Sequence, residues 1–255
     1  MKNVRRFASM IGTQMPLEWS EILQGETFVI HLASHNERLE TCKQRMYQAG
    51  FANFRIFDAV NGHDPGAWAQ HQVRFDGSWM VPRVAGCMLS HLAIWKKVID
   101  DKLPFATVFE DDVVFHKQWH NLAHQYYVAT PKTCDMIFMG HHCGNVVPHI
   151  HIVQVPVYCL HAYIITYEGA KKLYHMITQY PYDDNHAIDM MLVRLMGEQL
   201  RGHPHESMPQ LSWYAWNSEM FPDEEAAPLI HPHLVHKDKG LVFQQWYDSC
   251  RMGGT

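Results

Sequence analysis

The chain has 255 residues, 47% of them hydrophobic, and no low-complexity tract, so it can bury a large core and is too apolar to be disordered over most of its length. Its 21 Lys+Arg against 26 Asp+Glu give a formal charge of −5 with His neutral, without the basic stripe of a nucleic-acid binder. No apolar run reaches the ~18 residues of a spanning helix, and Met1 to Gln24 mixes Arg5, Arg6, Glu18 and Glu21 among its apolar residues, unlike a signal peptide. A soluble, cytoplasmic protein is the expectation.

In chain order, residues 1–26 read as an N-terminal extension and 27–255 as one domain, since no linker or internal repeat divides them. Thr27 to Leu32 is a near-continuous apolar run and predicts a buried strand. Ser34-His35-Asn36 offers a helix cap, Glu37 and Glu40 suit the first turn, and Leu39, Cys42, Met46 and Ala49 repeat at helical spacing up to Gly50. Phe54 to Phe57 is a second strand, closed by Asp58-Ala59-Val60-Asn61-Gly62. Strand, helix, strand is the opening of a parallel α/β sheet.

His63 to Arg83 carries little regular signal, and a long irregular stretch in a compact domain is more often functional than accidental. Gly86 to Asp101 predicts a helix apolar on most sides, hence buried. Then comes Phe105-Ala106-Thr107-Val108-Phe109-Glu110-Asp111-Asp112-Val113, a hydrophobic strand with three consecutive carboxylates at its far end. Adjacent acids repel one another, and a cation relieves that repulsion. Strand alternation sends Glu110 and Asp112 to one side and Asp111 to the other. Paired carboxylates suit a hard divalent ion, Mn2+ or Mg2+. The bland alternative is an acidic strand end solvated in a loop.

Cys134 to Gly140 predicts a core strand, Val153 to Pro156 and Tyr158 to Thr166 flank a turn as strands, and Tyr167 to about Gln179 begins a helix. After the Pro181–Asn185 loop, His186 to Met196 is helical. From about Gly197 the pattern degrades, with prolines at 204, 209, 222, 228 and 232. Six cysteines (42, 87, 134, 143, 159, 250) form no C-x-x-C pair and read as reduced, mostly buried thiols. Twenty histidines include His141-His142, His149-x-His151, His203-x-His205 and His231-x-His233-x-x-His236, spacings that can bind zinc but that composition alone also scatters over surfaces.

Several of these pieces, taken in order, resemble glycosyltransferase family 25, which includes bacterial lipooligosaccharide galactosyltransferases and procollagen galactosyltransferase domains. They are Val29-Ile30-x-Leu32 with Asn36-Glu37-Arg38-Leu39-Glu40, then Asp58-Ala59-Val60-Asn61-Gly62, then Gly86-Cys87-x-x-Ser90-His91-x-x-x-Trp95. Phe109-Glu110-Asp111-Asp112-Val113, Glu168-Gly169-Ala170 and His186-x-x-Asp189 complete the set, which spans roughly Thr27 to Met196. The chain departs from the family pattern at Arg83-Val84-Ala85, where an acid is common, and at Tyr167, where Pro is common.

The resemblance implies an α/β, GT-A-like single domain with a mainly parallel central sheet flanked by helices, and a nucleotide at the strand C-termini. It implies transfer with inversion from a UDP-sugar, UDP-galactose above all, to a hydroxyl of a glycan or protein acceptor, as in lipopolysaccharide biosynthesis. Any membrane association would come through the acceptor. Bottom-up chemistry fits this. A departing diphosphate needs charge stabilisation, so Asp112 is assigned to direct metal contact. Glu110 would hold the ribose or a metal-bound water, and Asp111 would support from behind or fix backbone. Arg38 could meet the uridine or diphosphate, or lie exposed on its helix. Inversion needs a base on the acceptor hydroxyl; Asp189 is the first choice, with His186 orienting it or touching phosphate. The alternative for Asp189 is a helix N-terminal acid that only complements the dipole. His91 is expected to be a hydrogen-bonded core residue, and His236 is the candidate late histidine of the metal shell. A His/Asp metallohydrolase and a catalytically degenerate sugar-nucleotide-binding module remain the rivals.

Overall fold

The computed structural model describes residues 14–64, 66, 82–116, 118–142, 152–179, 187–202, 210–216 and 230–232. A seven-stranded sheet runs through the centre in the order β2-β1-β3-β7-β5-β8-β6. Its strands are β1 (Thr27–His31), β2 (Phe54–Asp58), β3 (Phe105–Glu110), β5 (Met136–His142), β6 (Ile152–Val153), β7 (Tyr158–Thr166) and β8 (Trp213–Trp216). The short β4 (Val113–Phe115) pairs apart from the sheet with β9 (Ile230–Pro232). β1 is parallel to β2 and β3, and β5 is parallel to β8, whereas β7 opposes both β3 and β5 and β6 opposes β8. Five strands therefore point one way and two the other, the mainly parallel sheet that the sequence predicts.

Strand alternation builds the layers. Phe28, Ile30, Ala106, Val108, Tyr163 and Ile165 face one side, and the intervening Val29, Phe105, Phe109, Ala162 and Ile164 face the other. The first side packs on α3 (Pro82–Asp100), α5 (Tyr167–Gln179) and α6 (Ile188–Leu200), through Leu89, Leu92, Trp95, Leu173, Ile177 and Leu192 among others. The second packs on α1 (Trp19–Gln24), α2 (Asn36–Gln48) and α4 (Trp119–Ala129), where Trp19, Cys42, Met46, Trp119 and Tyr127 are buried. The result is a helix–sheet–helix sandwich with both sheet faces covered. Residues 14–24, part of the segment set apart above as an extension, lie on this second layer: Met15, Trp19 and Ile22 are buried, and Gln14 bridges to Thr133.

Five elements were not anticipated: α1, α4, β8 and the paired strands β4 and β9, the last also inside the C-terminal stretch read as irregular. α1 and α4 lie outside the predicted helices. β8 falls inside the stretch read as irregular after Gly197, and the pattern of α6 itself continues to Leu200.

Candidate functional site

The C-terminal ends of β1 and β3 open onto a cleft of about 320 Å³. The turn after β2 and the start of α3 form its opposite wall, with Val60, Asn61, Gly62, Pro82, Arg83, Gly86 and Cys87. Two glycines make that wall possible. A Cβ on Gly62 would stand 1.8 Å from the Pro82 carbonyl oxygen, and one on Gly86 would stand 2.6 Å from the Val60 carbonyl oxygen. Helix and turn thus meet backbone to backbone. Ser90 fastens them: its Oγ accepts the Val60 N–H at 2.8 Å and donates to the Gly86 carbonyl at 2.6 Å. The local motifs Asp58–Gly62 and Gly86–Ser90 are two halves of one contact.

Glu110 and Asp111 line this cleft and Asp112 follows them in the chain, and the strand divides the three. β3 ends at Glu110, which has the parity of Ala106 and Val108 and so faces α3. There its Oε1 lies 3.4 Å from Nε2 of His91. Asp111 has the opposite parity and turns toward α2. It is buried, its Oδ2 lies 2.7 Å from Nδ1 of His31, and its Oδ1 accepts from Arg38. Asp112 does not continue the alternation as expected. It belongs to the turn between β3 and β4, and its Oδ2 lies 3.5 Å from the same Arg38 guanidinium. Its Oδ1 is buried without a hydrogen-bond partner.

The charges are unequal in consequence. Burial and then the Glu110 charge push the Asp112 carboxyl up to about 7, against the partial relief given by Arg38. Burial works to raise Glu110 too, but the facing imidazole of His91, with His161 and Arg38 beyond it, holds it below the usual range. The Cys87 thiol is exposed to the cleft but crowded by the protein around it, which pushes it well up, with smaller contributions from Glu110, Asp189, Cys159 and Asp112 in that order. Asp189 thus lies close enough to Cys87 for its charge to reach the thiol, without lining the cleft itself.

Asp189 is in the first turn of α6. Its Oδ2 accepts the Cys159 N–H at 3.1 Å and its Oδ1 the Met190 N–H at 2.9 Å. Cys159 has φ +70°, a conformation that side-chain-bearing residues rarely adopt, so one task of Asp189 is to hold that turn of backbone. His186 and His236 lie outside the described residues, as do His149, His151, His203, His205, His233, Cys143 and Cys250.

His91 is buried as expected, with Nδ1 3.0 Å from the Tyr163 hydroxyl, which also accepts the Trp95 indole N–H at 3.0 Å. Arg38 is directed at Asp111 and Asp112 while lining the cleft. Two residues were not singled out from sequence for this site: His31, whose partner is 80 positions away, and Cys87. The only signal for His31 was a titratable residue at the end of a strand otherwise apolar.

The model of glycosyltransferase family 25 (LPS biosynthesis protein) matches residues 24–192. The chain belongs to that family. The matched span includes the cleft wall, the three acids and the first turn of α6. Procollagen galactosyltransferase 1-A of Xenopus laevis is 29% identical over 188 residues, 62% of this chain and 30% of that protein. The procollagen lysyl hydroxylase and glycosyltransferase of Acanthamoeba polyphaga mimivirus is 30% identical over 175 residues, 57% of this chain and 19% of the other. The inactive glycosyltransferase 25 family member 3 of Homo sapiens is 27% identical over 174 residues, 60% and 29% of the two chains. The chain thus spans less than a third of the length of these relatives. Among solved structures, a glycosyltransferase involved in the glycosylation of the major capsid of PBCV-1 aligns at TM-score 0.45 and 8% identity, over 83% of this chain and 93% of the other.

Proposed function

We propose that this family 25 chain is a metal-dependent, inverting glycosyltransferase that moves a hexose, with galactose favoured, from a UDP-sugar to a hydroxyl of a glycan or protein acceptor. The observation that carries the reading is the pair Glu110 and Asp112 at the strand end, relieved only in part by His91 and Arg38. Burial and then the Glu110 charge drive Asp112 up to about 7, with a buried carboxylate oxygen left without a partner. Such a pair fits Mn2+ or Mg2+, which take carboxylate oxygens and leave sites for phosphate. Asp112 and Glu110 would hold the ion. Asp111 would not, because His31 and Arg38 already occupy its oxygens. When bound, the ion offsets the negative charge that develops on the departing diphosphate.

The remaining work falls to the chain. His31 and Arg38 fix Asp111 and so the turn that presents Asp112. Arg38, half exposed and bridging two acids, can swing one of its N–H groups to a donor phosphate that enters the cleft. The backbone contact of Gly62 with α3 gives the cleft a rigid wall against which a base or ribose can lie. Asp189 is the proposed general base. Each of its oxygens spends one lone pair on a backbone N–H, and each keeps a second that can take the acceptor proton.

The parent test is a panel of nucleotide sugars with and without Mn2+, read as thermal stabilisation and as transfer to hydroxyl acceptors by mass spectrometry. Ligand bound to the folded state alone raises its stability by mass action. Metal-assisted stabilisation by UDP-sugars, strongest for UDP-galactose, is expected. Stabilisation indifferent to metal would overturn the metal assignment, and donor binding without transfer to any acceptor would make the chain a sugar-nucleotide-binding module.

A further inference from the structure

We propose that Cys87, His91 and Glu110 form a distinct site for a borderline-soft divalent ion of the Zn2+ class, on the α3 side of the cleft. Cys87 and His91 are one helical turn apart on α3, so their side chains share a face. Glu110 meets them from the end of β3. One ligand atom from each of the three lies within 4.8 Å of the others, the span of a single ion's shell.

His91 supplies the independent observation. It is 0% exposed, and its Nε2 makes no hydrogen bond, an expensive condition for a buried ring nitrogen. Its Nδ1 is 3.0 Å from the Tyr163 hydroxyl, which takes the Trp95 N–H on another lone pair. Metal binding requires the His91 proton on Nδ1, donated to Tyr163, so that the Nε2 lone pair faces Cys87 and Glu110 in place of the 3.4 Å contact with Glu110 Oε1 that holds that carboxyl down in the metal-free chain. A metal-binding imidazole has this arrangement, with its second nitrogen fixed by a partner behind it.

The donor set selects the ion. A thiolate and an imidazole favour Zn2+ over Mg2+ or Mn2+, which prefer oxygen. Three protein ligands with Cys87 open to the cleft leave a fourth position for water or substrate, as in zinc sites that are not closed. Binding displaces the thiol proton to solvent, and the ion takes the sulfur lone pair in its place. Glu110 is common to this site and to the pair assigned to the donor's metal. One carboxylate side chain cannot serve both ions in full, so Zn2+ should antagonise metal-assisted donor binding. That antagonism rests on the transferase reading; the site itself does not.

Co2+ titration tests the site, because a thiolate bound to Co2+ gives an intense near-ultraviolet charge-transfer band that oxygen and nitrogen ligands do not. The full-length chain should develop this band at one equivalent. Zn2+ should bleach it and Mg2+ should leave it. Cys87→Ala should abolish it while keeping the wild-type melting profile, since Cys87 packs at the cleft surface. A wild-type titration with no thiolate band, or a band that survives in Cys87→Ala, would overturn the proposal. A second arm measures UDP affinity with Mn2+ before and after one equivalent of Zn2+. A fall to the metal-free affinity supports the shared Glu110. Unchanged affinity alongside an intact cobalt band would refute the sharing and Glu110's place in the donor's metal shell, leaving the zinc site standing.

Discussion

Tyr163→Phe isolates the chain of contacts that aims His91 at the cleft. The substitution keeps the ring, and with it the packing of a fully buried side chain, but removes the hydroxyl. That hydroxyl lies 3.0 Å from both Trp95 Nε1 and His91 Nδ1, and all three residues are inaccessible to solvent. Each polar group left buried and unpaired costs about 1–3 kcal/mol, so two of them set a loss of about 2–6 kcal/mol. The lower half is favoured, because His91 can move its proton to Nε2 and recover an interaction with Glu110. Guanidinium unfolding of the metal-free protein should show a loss of about 2–3 kcal/mol at unchanged m-value. The melting temperature should drop by about 4–12 °C, at ~2–4 °C per kcal/mol for a chain of this size. The same variant should also weaken the cobalt–thiolate band, because the imidazole is no longer held in one tautomer. A stability change under about 0.5 kcal/mol, within the range of an ordinary surface substitution, would mean that the hydroxyl does not organise His91.

Asp112→Asn removes a buried charge beside Glu110, so the metal-free variant should be at least as stable as wild type while losing most of the Mn2+-dependent gain in UDP affinity; calorimetry showing equal metal-assisted binding would exclude Asp112 as a ligand. Gly86→Ala puts a methyl against the Val60 carbonyl, and the overpacking cost of about 1–3 kcal/mol should outweigh the ~1 kcal/mol helix gain from alanine, giving a net loss in chemical unfolding. Asp189→Asn should lower kcat for transfer on the order of 10²–10⁴-fold with donor affinity near wild type. An effect confined to KM would instead assign Asp189 to uniform substrate binding or to holding Cys159.

The legible parts of the fold are those whose signal is local. β1, α2, β2, α3, β3, β7 and α5 each carry their period within a single window, and their predicted bounds hold to within a few residues. β8 does not. Trp213 to Trp216 is four residues long, stands among prolines, and earns its place in the sheet by pairing with Met136 to Phe138, 77 positions earlier, and with Ile152–Val153. α4 is similar: Trp119, Leu122, Ala123 and Tyr126 form a buried stripe, but histidines and glutamine between them blur the pattern. The site follows the same rule. Glu110–Asp112 is a contiguous run and announces itself. The His31–Asp111 pair joins two strands, and no spacing within one element reveals it. Cys87 and His91 do have a local spacing, but helix α3 is apolar nearly all round, so burial was the simpler account of both.

The same geometry explains why three acids at one strand end are not equivalent. A single guanidinium, that of Arg38, stands against three carboxylates, and it is committed first to Asp111, with the His31 ring on the other oxygen. Strand parity puts Glu110 on the opposite side of the sheet from that arrangement, against His91. Asp112, in the turn, is left between them: near enough to Arg38 for partial relief, but driven up to about 7 by its own burial and then by the Glu110 charge. Asp112 is therefore the least relieved of the three carboxylates, and on the transferase reading proposed above a divalent cation would supply the relief that Arg38 cannot. Because some family 25 relatives bear the name inactive, membership alone does not decide the chemistry. On the proposed metal assignment, a variant in which a second basic side chain neutralised Asp112, or in which Glu110 were replaced by an amide, should keep the sheet, the glycine contact and the cleft and lose the Mn2+-assisted part of UDP binding.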